Sequence, residues 1–103
     1  MRKYIILGLI CVSSLSFSKN LNIDDNKIRN FVKSNYESSV MRKEVYNLEV
    51  KRASFLNDIE KNGTNEEKKV LSKVLDTYDP YEFSFTVVYE MYKQELKAVK
   101  EGW

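Results

Sequence analysis

Residues 40–62 read VMRKEVYNLEVKRASFLNDIEKN, and this stretch decides the fold. Met41, Val45, Leu48, Phe55 and Ile59 recur at spacings of 4, 3, 7 and 4, with Arg52 at the skipped position. That period belongs to an α-helix with one apolar edge, a coiled-coil-like seam on an otherwise charged and solvated cylinder. The run holds neither Gly nor Pro. It ends at Asn62-Gly63, a turn signal because both residues tolerate positive φ.

Towards the N-terminus, Asn22 to Asp25 supply capping side chains and first-turn acids that face the positive end of a helix dipole. Ile28, Phe31 and Val32 then fall on one face. Ser34-Asn35-Tyr36-Glu37 repeats the capping-box pattern, so the long helix over about 24–62 either breaks or bends near residue 35 or runs straight through it. Asn22, Asp24 and Asn26 alternate like the opening of a calcium loop. Lys27 stands at that loop's glycine position and Lys33 at its closing glutamate, so the motif fails.

Towards the C-terminus, Thr64-Asn65-Glu66-Glu67 forms a capping box, and Val70, Leu71, Val74, Leu75 and Tyr78 follow at helical spacing. Asp79-Pro80 interrupts and can restart a helix, with Asp79 as cap and Pro80 in the first position. Residues 83–89 are rich in β-branched and aromatic types, a strand-like composition. Phe85, Val88, Tyr92, Leu96, Val99 and Trp103 nevertheless recur at 3, 4, 4, 3 and 4, and a lone strand would find nothing to pair with. The expectation is all-α: helices over about 24–62, 64–78 and 80–101, packed antiparallel as a helical hairpin or three-helix bundle.

The chain opens with a different grammar. Arg2 and Lys3 precede an apolar run from Tyr4 to Val12, and Ser13 to Ser18 are mostly small. This is the plan of a secretory signal peptide, with Ser16 and Ser18 fitting the small-x-small cleavage rule and Lys19 as the first mature residue. The apolar run is far short of the roughly 20 residues of a permanent span. Cys11 follows Leu9-Ile10 rather than a small residue, so it reads as part of the signal core rather than a lipidation site. Export to the periplasm, cell surface or medium follows as the expectation.

Removing residues 1–18 from 103 leaves 85, one domain, with a thin stability margin for its size. Its only cysteine departs with the leader, so packing, self-association or a partner must stabilise it. Of 17 basic and 15 acidic residues, Arg2 and Lys3 also depart, leaving a formally neutral mature chain with no net field towards nucleic acid or anionic lipid. The basic doublets Arg42-Lys43, Lys51-Arg52 and Lys68-Lys69 have acids close by and read as solvated helix faces.

Catalytic options are few. The chain has no His, and the mature part has no Cys, which removes Ser-His-Asp and Cys-His nucleophiles and the usual zinc sites. Gly63 stands alone, so there is no phosphate-cradling loop and no cofactor is expected. Acid/base work by Asp76, Asp79 and Glu82, set among Tyr78, Tyr81 and Phe83, is the alternative; helix capping explains the same residues. Asn62-Gly63-Thr64 fits the short and common glycosylation acceptor pattern, but reads better as a turn followed by an N-cap.

Aromatics gather towards the C-terminus, on more faces than one thin bundle covers. Tyr81, Tyr89, Tyr92 and Trp103 are therefore the candidate interface residues, since exposed Tyr and Trp serve as binding anchors.

Leu15-Ser16-Phe17-Ser18, the glycine-poor cysteine-free helical chain after it, and the closing Tyr89-Glu90-Met91-Tyr92-Lys93-Gln94-Glu95-Leu96-Lys97 together resemble small exported helical-hairpin adhesins of the fusobacterial type. The resemblance implies a hairpin that self-associates and contacts host or neighbouring cells. Those adhesins are rich in Ala and Gln with a long regular seam; here alanines are few, Pro80 interrupts, and the third segment is aromatic. The expected function is a non-catalytic, exported interaction protein that binds itself or a protein partner. A membrane-apposed helical protein is a further alternative.

Overall fold

The computed structural model describes residues 21–103, so the expected leader and its cleavage residues Ser16, Ser18 and Lys19 lie outside the described residues. Five helices follow one another: α1 (Asp25–Asn35), α2 (Ser39–Asn62), α3 (Asn65–Thr77), α4 (Pro80–Phe83) and α5 (Phe85–Lys100). There is no strand among the described residues, and 83–89 is helical on either side of Ser84.

The starts of α1, α3 and α4 are written locally. The Asp24 carboxyl accepts the N–H groups of Asn26 and Lys27 at the head of α1. The Thr64/Glu67 capping box is complete at α3, and Asp79 with Pro80 starts α4. Such caps satisfy amides that have no partner inside the helix, which fixes where the helix begins.

The expected helix over 24–62 is two helices. The chain breaks at 36–38, and the cap is Ser38, which accepts the Met41 N–H, rather than Ser34. Arg42 explains the break. Its Nε donates to the Tyr36 carbonyl at 2.6 Å and its Nη2 to the Lys33 carbonyl at 3.2 Å, so a side chain of α2 closes the end of α1. The expected helix over 80–101 is likewise divided, at Ser84, whose φ of 112° and ψ of 151° lie in a region favoured by glycine.

Gly63 corrects a third expectation. Its φ is −69°, so positive φ is not what requires glycine there. A Cβ would meet the Ile59 carbonyl oxygen at 2.6 Å, which makes close backbone approach the requirement.

The core joins Ile28 and Val32 of α1, Ala53 and Leu56 of α2, Val70, Leu71, Val74 and Leu75 of α3, and Phe85, Val88 and Tyr92 of α5. All lie between residues 28 and 92, so the chain from residue 19 onward contains this entire core. Glu49 meets Phe85 and Phe55 meets Tyr89, so α2 and α5 run parallel. Between them α3 runs the opposite way: Val70 shares a groove with Val99, and Thr77 one with Met91. The result is an up-down-up bundle, with α1 laid antiparallel along α2.

The apolar seam of α2 only partly joins its core stripe: Val45 and Ile59 pack against the core. Glu49, Ala53 and Leu56 face inward, while Met41, Leu48 and Phe55 are exposed. At about 100° per residue the seam lies roughly a quarter turn from the centre of the buried face. The reason is that α2 contacts α1, α3 and α5 together. A broad face is then buried, and the seam runs along its margin beside α5.

Candidate interaction surface

On that margin, Met41, Leu48 and Phe55 stand at seven-residue intervals and are 50%, 40% and 38% exposed. Phe55 leans on Tyr89 of α5, with ring centroids 5.6 Å apart and a 43° tilt. The Arg52 guanidinium lies 5.7 Å from the Phe55 ring centre and 5.1 Å from that of Tyr89, and Lys93 approaches Tyr89 at 4.9 Å. These are cation–π distances. Arg52 Nε is buried and has no hydrogen-bond partner among the described residues. The surface is thus an apolar line ending in an aromatic pair held between two cations.

Beneath it, α5 is anchored to α2 by one acid. Glu49 is 3% exposed. Its Oε1 accepts the Phe85 N–H at 2.6 Å, and its Oε2 accepts the Thr86 N–H at 3.2 Å and the Thr86 hydroxyl at 2.6 Å. The acid sits at the positive end of the α5 dipole, where negative charge is favoured. Ser84 Oγ accepts the Val87 N–H at 3.0 Å, so the first turn of α5 is capped from two directions.

The four expected interface aromatics have separate fates. Tyr89 belongs to the surface just described. Tyr92 is buried, at 4% exposure, and belongs to the core; burial first, then Glu67 and Tyr89, push its hydroxyl up to about 12. Tyr81 is half-buried edge-on to Phe85, with rings 5.4 Å apart. Its hydroxyl donates to the Asn22 carbonyl at 2.5 Å and accepts the Asp24 N–H at 2.7 Å, and burial raises its pKa. Tyr81 therefore ties the N-terminal lead-in to the start of α5.

Trp103 is 90% exposed. Gly102 adopts φ 95° and donates to the Val99 carbonyl, while the Trp103 N–H donates to the Ala98 carbonyl, both at 3.0 Å. This is a Schellman closure of α5, so Gly102 fixes the Trp103 backbone.

Asp76, Asp79 and Glu82 are all exposed, and Asp79 Oδ1 accepts the Tyr81 N–H at 2.9 Å.

Glu49 and the partners of Arg52 are not legible in the sequence. A glutamate between Leu48 and Val50 gives no local sign of burial, because its partners lie 36 and 37 residues away. Comparison with protein-family models, with curated proteins and with solved structures gave no match.

Proposed function

We propose that the protein is exported and acts as a non-catalytic helical interaction module that self-associates through α2, in the manner of small helical adhesins. The observation that carries this reading is the exposed line of Met41, Leu48 and Phe55, which is symmetric about Leu48. An antiparallel pairing of two α2 helices across a two-fold axis at Leu48 sets Leu48 against its own copy and Met41 against Phe55. Each of those outer contacts lies about 10 Å from the axis, seven residues at 1.5 Å rise. The same pairing brings Glu44 opposite Arg52, so the flanking charges are complementary. Isologous interfaces need this self-complementarity. The leader plan of residues 1–18, a basic start, an apolar run and a small-residue exit, supports export.

Light scattering of residues 19–103 across a hundredfold concentration range tests it. A dimer that Leu48→Glu converts to monomer is the expected result. A monomer throughout, with no partner retained from envelope extracts, would overturn it.

A further inference from the structure

The neutral total of the mature chain conceals an uneven distribution. Where α1 lies along α2, Arg29 and Lys33 from one helix and Arg42 and Lys43 from the other line a groove of about 310 Å³. Val32, Tyr46 and Asn47 complete it. One acid answers these four cations: Asp25 binds Arg29 at 2.9 Å and accepts the Tyr46 hydroxyl. Arg29 also stacks over the Tyr46 ring at 4.5 Å. Among the described residues, Lys33 and Lys43 have no acid within ion-pair distance.

Closing α1 accounts for Arg42, whose two bonds go to backbone carbonyls. Those carbonyls leave its charge in place, and three of its five N–H donors remain. Closure does not account for Lys43 or for the apolar lining. That lining comes from Val32, the Tyr46 ring and the aliphatic stems of the long cations, so charged heads sit over an apolar floor. Beside the groove, Val40 is 72% exposed, and it shares a face of α2 with Lys43 and Asn47 by spacing of three and four. One exposed aliphatic residue, Val40, beside unpaired cations is the chemistry of an anionic lipid surface. No described helix is long and apolar enough to cross a membrane, so contact would be at the surface.

We propose that the α1–α2 groove binds an anionic lipid, the phosphate between Lys33, Arg42 and Lys43 and the first methylenes of the chain against Val32 and Tyr46. This site is separate from the self-association line on α2 and does not depend on it. The volume matches a headgroup and its glycerol rather than a whole lipid, so the rest of the molecule stays in the bilayer.

The test uses residues 19–103 and two forms of one headgroup. Sedimentation with phosphatidylcholine vesicles, with and without about a third phosphatidylglycerol, is expected to show binding only to the anionic set, weakened by salt. Lys33→Gln/Lys43→Gln should lower that binding by tenfold or more, on the scale of two lost basic contacts, while Lys33→Arg/Lys43→Arg keeps it. Matching thermal melts show that the Gln variant folds, and Lys43→Gln alone serves if it does not. Monomeric dihexanoyl phosphatidylglycerol should shift the amide signals of Val32, Lys43 and Tyr46, which places the lipid in the groove. Equal binding to neutral vesicles, equal binding by the Gln variants, or vesicle binding without those shifts would overturn the proposal.

Discussion

Glu49 on α2 holds the first amide of α5: its Oε1 lies 2.6 Å from the Phe85 nitrogen, across 36 residues of sequence. Helix caps are usually local, from a side chain just before the helix. Here Ser84 supplies the local cap and Glu49 adds one from a neighbouring helix. The boundary between α4 and α5 is therefore a tertiary feature.

Glu49→Ala should be among the most destabilising single changes. It strands the buried Phe85 N–H and leaves a void, a loss of about 3 kcal/mol. Urea denaturation should show a lowered midpoint, and Thr86→Val should cost less, since the two backbone contacts survive.

Ser84→Gly should stabilise the protein by about 1 kcal/mol. Relief of a backbone geometry worth about 1–3 kcal/mol outweighs a cap change of a few tenths. Ser84→Ala keeps the strain and loses the Val87 contact, so its thermal midpoint should fall.

Gly63→Ala should destabilise despite an ordinary φ. The new Cβ meets backbone oxygen rather than a yielding side chain, and the turn between α2 and α3 must shift. Thermal melts should drop by several degrees, on the scale of about 1–2 kcal/mol in a domain this small.

Tyr92 predicts the alkaline behaviour. Its folded pKa, near 12, exceeds the ordinary tyrosine value of about 10. The neutral hydroxyl is favoured in the folded state, so this stability is fully present below pH 10. It is lost as pH rises towards 12. Urea midpoints measured at pH 9 and pH 11.5 should show the decline, and Tyr92→Phe should flatten it.

The boundaries legible in the sequence were those decided within four residues. Thr64 with Glu67 and Asp79 with Pro80 carry their own chemistry, and α3 and α4 begin there. The break after Asn35 was legible only as one option beside a bend or a straight helix, because its cause is Arg42 reaching back six and nine residues. The seam of α2 announced the helix, but only Val45 and Ile59 of its five apolar residues pack against the core. Periodicity gives the pitch of an apolar stripe, whereas the number of neighbouring helices decides which stripe is covered. The basic groove was invisible for a similar reason: Arg42-Lys43 reads as a solvated doublet until α1 brings Arg29 and Lys33 beside it.

The lead-in before α1 is fastened at two points far away in sequence. Leu21 donates its N–H to Glu60 at 2.7 Å, and Tyr81 grips Asn22 and Asp24. Tension applied at residue 21 would thus enter the molecule at the foot of α2 and at α4, before reaching α1. A chain fastened this way would resist shear at its clamps instead of unzipping turn by turn from its first helix.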